Sequence, residues 1–172
     1  MLESNKTLHR SWFGQCWTRH AASDAMWRIY SPESDGVRIR STPQKLMESL
    51  DSAYGASPRF IGRVQYMPTK RLTQFAKALS LKNSVGAAQT LLVKRPAFRH
   101  EREVRLLVRR ADEKSDRLRC PIDPHDLLDQ IMVDPRLEAT KARSLQEQIR
   151  RRTDFQGSVL RSLLYAPSPP LA

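Results

Sequence analysis

The stretch around which this chain is organised is KRPAFRHEREVRLLVRR, residues 94–110. It ends in the run Val104 to Val108, which is the most strand-like part of the sequence. Because the side chains of a strand alternate between its two faces, Glu101, Glu103 and Arg105 are predicted to share one face. Two carboxylates at this spacing can converge on one site, although pairing with the neighbouring arginines is the simpler role.

The charge balance predicts a polyanionic partner. The 172 residues include 30 Lys and Arg against 18 Asp and Glu, a net charge of +12. Such a surplus favours nucleic acid first and an anionic membrane surface second, and the alternative is a protein that merely has a basic surface. The arginines predicted to contact nucleic acid lie within the central stretch and at the end of a predicted helix: Arg95, Arg99, Arg102, Arg105, Arg109, Arg110, Arg150, Arg151 and Arg152.

Several classes of protein are disfavoured by what the sequence lacks. Cys16 and Cys120 have neither zinc-ligand nor disulfide-scaffold spacing, and the four histidines show no metal-binding motif, so no metal site is predicted. Glycine-rich phosphate loops are absent. No apolar run has the length of a signal peptide or of a membrane span, which needs ~20 residues. We therefore expect a cytoplasmic protein without a membrane span.

The alternation of strand and helix patterns predicts an α+β fold. We expect a mixed or antiparallel sheet of about five or six strands with helices packed on it, beginning with a buried strand at Ser11 to Trp17. Ser23 is a predicted helix N-cap, Thr42 with Pro43 starts another helix, and Gly62 indicates a bulge or a close approach.

A single α+β domain is predicted over residues 12–164. It follows a loosely ordered segment, 1–11, and precedes a Pro-rich disordered tail, 165–172.

Six motifs occur in a characteristic order in this chain. They are CW at Cys16–Trp17, SDAMWRIY at 23–30, GVRIRST at 36–42, IGRVQY at 61–66, KRPAFRHEREVRLLV at 94–108 and IDPHDLLDQIMVDP at 122–135. Together they resemble an uncharacterised family of bacterial domains of unknown function that occur among mobile elements and phage-defence neighbourhoods. The similarity runs from about Trp12 to Leu163. Family members usually carry a further segment before the CW motif, so we expect that it was lost, that another protein supplies it, or that this chain is the product of a shortened open reading frame.

The order of elements in that family is similar to ADP-ribosyltransferases, which implies an enzyme that uses NAD to modify nucleic acid or protein. The resemblance implies that Glu103 stabilises the positive charge that develops on the sugar, while Glu101 orients the acceptor. It further implies that the aromatic side chains of Trp27 and Tyr30 form the walls of the cofactor site. Ser41 and Thr42, at the end of a strand, form its polar edge.

Two other functions stay open at the level of the sequence. Glu101, Glu103 and Asp123 are candidate Mg²⁺ ligands of a metal-dependent nuclease. Alternatively, the chain is a non-enzymatic module that binds nucleic acid or a partner protein through its basic residues. Whether the protein is an enzyme is not decided by its sequence.

Overall fold

The protein has an α+β fold, as predicted. The structure is a computed structural model that describes residues 11–79 and 83–166. The described strands are β1 (Trp12–Thr18), β2 (Val37–Arg40), β3 (Arg59–Arg63), β4 (Gln65–Tyr66), β5 (Val93–Lys94), β6 (Glu103–Arg109), β7 (Gln130–Val133) and β8 (Ser158–Arg161). The described helices are α1 (Asp24–Tyr30), α2 (Pro43–Tyr54), α3 (Thr69–Ala78), α4 (Ser84–Thr90), a 3-10 helix (Pro96–Glu101), α5 (Pro124–Leu127) and α6 (Ala139–Thr153).

These elements fall into two compact units. Unit 1 contains the described residues up to His20 together with Leu46–Pro121, and unit 2 contains Ala21–Lys45 together with the described residues from Ile122 onward. Instead of one sheet of five or six strands, the eight described strands form three small sheets. The segments predicted to be loosely ordered lie almost entirely outside the described residues, and the single domain over 12–164 stays a prediction.

Strand β6 is the centre of unit 1. It pairs antiparallel with β1 on one side and with β3 on the other. Its consecutive residues Leu106, Leu107 and Val108 are all buried, so side chains on both faces of β6 are covered here. The Trp12 and Phe60 rings lie 5.8 Å apart in the apolar cluster that also contains Leu107. The short strands β4 and β5 form a separate parallel pair.

Strand β1 differs from its prediction, because it is not buried along its length. Among the described residues β1 pairs only with β6, and Gly14, Gln15 and Cys16 are exposed. An edge strand with one free side explains this exposure. The prediction for Gly62 is confirmed as a close approach, since a Cβ atom at this position would lie 2.4 Å from Cδ1 of Leu92.

Unit 2 is built on the sheet β2-β7-β8, in which β7 pairs antiparallel with β2 and parallel with β8. Val133 and Val159 are fully buried where α6 packs against β7 and β8. The predicted helix starts are confirmed. The Ser23 hydroxyl accepts a hydrogen bond from the Met26 N–H at 3.3 Å, and the Thr42 hydroxyl accepts one from the Lys45 N–H at 3.2 Å.

A buried carboxylate, Asp134, organises the end of β7. It accepts hydrogen bonds from Nε of Arg136 at 3.0 Å and from Nη2 at 2.6 Å. The same Nη2 donates to the Trp27 carbonyl at 3.1 Å and to the carbonyl of Ser31. Burial alone would raise the pKa of Asp134, but the hydrogen bonds and charge of Arg136 hold it below its usual range. This pair therefore connects the end of β7 to the end of α1.

None of the described helices is both long enough and apolar enough to span a membrane.

The Asp134–Arg136 pair is expected to stabilise unit 2 strongly. Asp134→Asn removes the fully buried carboxylate charge that pairs with Arg136, so the free energy of unfolding should fall by about 3 kcal/mol. Urea denaturation followed by circular dichroism measures this change. The matched control is Asp116→Asn, which removes an exposed carboxylate 4.0 Å from Arg117 and should change stability by less than about 0.5 kcal/mol. Equal effects of the two substitutions would contradict this role for Asp134.

Candidate functional site

A buried ionic network lies at the start of β6. Nε of Arg105 donates to Oε1 of Glu103 at 2.7 Å, and Nζ of Lys94 donates to Oε2 at 3.2 Å. Lys94 also donates to Oε2 of Glu101. The two carboxylates therefore converge on one lysine. We call these four residues, Lys94, Glu101, Glu103 and Arg105, the glutamate network.

The carboxylates converge by a different route from the one predicted. Glu101 is not on the strand, because it ends the 3-10 helix that begins at Pro96. Arg102 then adopts a left-handed conformation, with φ 45° and ψ 48°, and only from Glu103 does the chain continue as β6. The prediction that Glu101 and Glu103 share a strand face is therefore wrong. Proline favours the start of a helix rather than a strand, and a left-handed residue interrupts the strand alternation.

The network determines the ionisation of Glu103, whose side chain is 4 % exposed. Burial alone would raise the pKa of this carboxyl group. Hydrogen bonds from Arg105, Cys16 and Lys94, with the charge of Arg105, instead lower the pKa to about 2. In the same way, hydrogen bonds to the two glutamates raise the pKa of Lys94 against the opposing effect of burial. Glu103 is thus a charged carboxylate whose oxygens are already occupied by cations.

A cleft of about 700 Å³ lies in unit 1 at the ends of these elements. It is lined by Arg19, His20, Val64, Tyr66, Arg99, His100 and Arg102. None of the described residues that line it is acidic. Three guanidinium groups in one cleft are suited to an anion, above all to phosphate oxygens.

Hydrogen bonds between distant segments connect the chain around this cleft. The N–H of Arg19 donates to the carbonyl of Arg102 at 3.2 Å, which extends the pairing of β1 with β6. The Thr18 hydroxyl donates to the carbonyl of Glu101 at 2.7 Å and accepts from the N–H of His20 at 3.2 Å. The hydroxyl oxygen of Tyr66 accepts from the N–H of Glu103 at 2.8 Å. The same hydrogen-bonded chain segments therefore position the cleft and the glutamate network.

The two histidines have defined tautomers. Nε2 of His20 lies 2.7 Å from the carbonyl oxygen of His100, and Nδ1 of His100 lies 3.2 Å from that of Ala97. A carbonyl oxygen only accepts, so each of these ring nitrogens must carry a proton. In the neutral ring the other nitrogen, Nδ1 of His20 or Nε2 of His100, then holds a free lone pair.

The arginines predicted to contact nucleic acid have different environments in unit 1. Arg99 and Arg102 line the cleft, whereas Arg105 belongs to the glutamate network. The Arg95 guanidinium lies 5.6 Å from the centre of the Phe98 ring. Arg110 pairs with Asp112 at 3.0 Å, and Arg109 is half-buried at the end of β6.

The other predicted arginines and the predicted cofactor residues belong to unit 2. At the end of α6, Nη2 of Arg150 donates to the Val159 carbonyl at 2.7 Å, while Arg151 and Arg152 are exposed. Trp27 is buried, and Tyr30 is exposed. The Ser41 hydroxyl donates to the Leu127 carbonyl at 2.6 Å. The Thr42 hydroxyl caps α2. That Trp27, Tyr30, Ser41 and Thr42 form a cofactor site stays a prediction.

The residues proposed as metal ligands have structural partners. Asp123 is the N-cap of α5 and accepts a hydrogen bond from the His125 N–H at 2.8 Å. Glu101 and Glu103 are held by Lys94. Within residues 11–79 and 83–166, no group of three or more His, Cys, Asp or Glu residues is arranged to hold a metal ion.

Sequence reasoning missed Arg19, His20, Val64, Tyr66 and His100 as site residues. Arg19 and His20 look like an ordinary turn, and no motif connects them to His100, 80 positions further along the chain. The signal that would have found them is the pairing of β1 with β6, which aligns Thr18 with Glu103.

Part of the chain is similar to a known protein family. Residues 26–106 match the model of a family described as "Protein of unknown function (DUF2971)". This region is therefore similar to an uncharacterised family, as the sequence resemblance predicted. The matched segment contains Tyr66, Arg99, His100, Arg102 and the glutamate network, whereas Arg19 and His20 precede it. Nothing among curated proteins or solved structures matches the chain.

The low pKa of Glu103 predicts a defined pH dependence of stability. Because this pKa is about 2 in the folded protein against 4.5 in the unfolded chain, the stabilisation is complete above about pH 4.5. It is lost as the pH falls towards 2, by about 3 kcal/mol in total.

Urea denaturation at a series of pH values checks this dependence. Glu103→Gln should be less stable than the unmodified protein at neutral pH and should lose less stability on acidification, because it lacks the titrating group. The exposed-carboxylate variant Asp116→Asn should retain the pH dependence of the unmodified protein. Parallel curves for Glu103→Gln and the unmodified protein would show that Glu103 titrates normally.

Proposed function

We propose that this chain binds nucleic acid by holding the phosphate backbone in the cleft of unit 1. The observation that carries the proposal is the lining of the cleft, in which Arg19, Arg99 and Arg102 occur with no acidic neighbour among the described lining residues. Guanidinium groups donate several parallel hydrogen bonds to phosphate oxygens and stay charged at every physiological pH.

The arrangement of the acidic residues supports this proposal. Glu101 and Glu103 are the carboxylates nearest in sequence to Arg99 and Arg102, and both are held by Lys94. Their negative charge is therefore compensated inside the protein, and it does not oppose a phosphate as strongly as an unpaired carboxylate would. The net charge of +12 adds a long-range attraction for any polyanion.

The cleft also offers surfaces for a base. Tyr66 lies on its wall beside Val64, and an aromatic ring next to cations is the usual platform on which a base of a single strand stacks. The volume of about 700 Å³ is in the range of pockets that hold small ligands, so we infer that the cleft takes one or two nucleotides of a single strand at a time.

Loss of the cleft arginines should weaken binding in a way that depends on salt. The double variant Arg19→Gln/Arg102→Gln removes two phosphate contacts. The slope of log K against log salt concentration for a single strand should therefore become shallower by ~1.4, which is ~0.7 for each phosphate. Fluorescence anisotropy with a labelled 20-nucleotide RNA or DNA, at several salt concentrations, measures the slope.

The matched control removes the same charge from outside the cleft. Lys114→Gln/Arg117→Gln replaces two exposed cations of a loop. It should leave the slope close to that of the unmodified protein. If the loop variant weakens binding as much as the cleft variant, net charge alone causes the attraction and the cleft is not the binding site.

ADP-ribosyl transfer in a phage-defence or mobile-element setting is the second candidate, and it rests on the sequence resemblance. The mechanism requires the Glu103 carboxylate to face the sugar as positive charge develops there. Because both of its oxygens accept hydrogen bonds from cations and the side chain is 4 % exposed, the geometry favours the binding function.

Incubation with labelled NAD and RNA, DNA or bacterial lysate separates these two functions. We expect no transfer of label, because Glu103 is occupied by Lys94 and Arg105. Transfer by the unmodified protein that is lost in Glu103→Gln, when this variant is folded as judged by its melting curve, would establish the transferase instead.

A further inference from the structure

Two histidines with free ring nitrogens line the same cleft as the arginines. The carbonyl oxygens of His100 and Ala97 fix the protonated nitrogens of His20 and His100, respectively, at Nε2 and Nδ1. The opposite nitrogen of each ring can therefore accept a proton when neutral and donate it when charged. The arginines can supply the phosphate contacts, so the second ring nitrogen of each histidine is available for proton transfer.

We propose that the cleft cleaves single-stranded RNA by internal transphosphorylation, with His20 and His100 as the proton-transfer pair. The inference rests on the proposed binding of nucleic acid in this cleft. Two imidazole groups beside a held phosphodiester supply the base and the acid that this reaction requires. RNA is the substrate class because the attacking group is its own 2′-hydroxyl, which DNA lacks.

The reaction balances without a further reactant. The neutral ring takes the proton of the 2′-hydroxyl as the 2′-oxygen forms a bond to the adjacent phosphorus. The bond from phosphorus to the 5′-oxygen of the next nucleotide breaks, and the protonated ring gives its proton to that oxygen. The products are a 2′,3′-cyclic phosphate and a free 5′-hydroxyl, nothing is oxidised or reduced, and solvent restores both rings.

The surroundings of the histidines suit this chemistry. Arg19, Arg99 and Arg102 are the charged groups that line the cleft, and they would stabilise the negative charge that builds up on the phosphate oxygens. The other titratable group in the lining is Tyr66, whose oxygen already accepts the N–H of Glu103. Glu101, the carboxylate next to His100 in sequence, is occupied by Lys94.

The Thr18 hydroxyl fixes the position of one ring relative to the framework. It accepts the backbone N–H of His20 and donates to the carbonyl of Glu101. His20 then donates to the backbone of His100, so both rings are attached to the chain segment that contains Arg99 and Arg102. Such fixed placement of acid, base and phosphate-binding groups is what proton-transfer catalysis requires.

The test uses the whole chain and end-labelled oligonucleotides of one sequence, made as RNA, as DNA and as 2′-O-methyl RNA, with EDTA present. We expect cleavage of the RNA only, with products that mass spectrometry identifies as ending in a cyclic phosphate. His20→Gln and His100→Gln should each lower the rate by about 100-fold and remove one limb of a bell-shaped pH profile. Both variants should keep salt-dependent binding of the 2′-O-methyl strand, because Arg19, Arg99 and Arg102 remain in the cleft.

His125→Gln is the matched control, because His125 lies in unit 2, where its ring stacks on Phe155 at 6.0 Å. Its rate should equal that of the unmodified protein. The double variant His20→Gln/His100→Gln, purified identically, should be inactive, which excludes a contaminating ribonuclease.

The cleavage proposal is overturned if RNA binds and is not cut, or if the histidine variants cut it as fast as the unmodified protein. In either case, if the unmodified protein binds RNA and the Arg19→Gln/Arg102→Gln variant does not, the proposed binding function is retained. Absence of RNA binding by the unmodified protein would instead overturn both proposals.

Discussion

Burial of the Glu103 carboxylate beside Lys94 and Arg105 is the constraint on which the rest of unit 1 depends. A charged carboxylate inside a protein costs several kcal/mol unless cations and hydrogen bonds compensate it. Lys94 from β5 and Arg105 from β6 supply that compensation, and Lys94 extends it to Glu101. In this way charge connects the strand pair β4–β5 to the central sheet.

The same constraint places the cleft residues. Because Lys94 holds Glu101 and Glu103 on either side of Arg102, the segment between them must turn within one residue, and Arg102 adopts the left-handed conformation. That conformation costs a non-glycine residue roughly 1–2 kcal/mol. Strain of this kind persists where surrounding contacts enforce it, often at functional sites. The turn carries Arg99, His100 and Arg102 to the cleft while the carboxylates beside them stay inside the network.

Local sequence signals predicted those parts of the fold that local chemistry determines. The aliphatic run ending at Val108 is a strand, Ser23 and Thr42 cap helices, and Gly62 allows the close approach of Leu92. Each of these features depends on residues within a few positions or on one residue type.

The cleft could not be predicted in the same way, because strand pairing creates it. His20 and His100 approach each other only when β1 lies antiparallel to β6, with Thr18 opposite Glu103. The position of Glu101 was missed for a related reason. The alternation of strand side chains applies to Glu101 only if the strand extends to residues before Glu103. In the structure β6 begins at Glu103, because the 3-10 helix and the left-handed Arg102 precede it.

The positive charge of the chain is not equally available to a polyanion. Arg105 is held by Glu103, Arg110 is paired with Asp112, and Arg150 donates to a backbone carbonyl. An arginine already engaged by a carboxylate releases few counterions when a phosphate approaches, so the net charge of +12 overstates the number of phosphate contacts.

The cleft of unit 1 is different. Its described lining contains Arg19, Arg99 and Arg102 and no acidic residue. Under the proposed binding function, these three arginines would contact the phosphates that flank one or two nucleotides, which suits a short single-stranded segment better than a duplex.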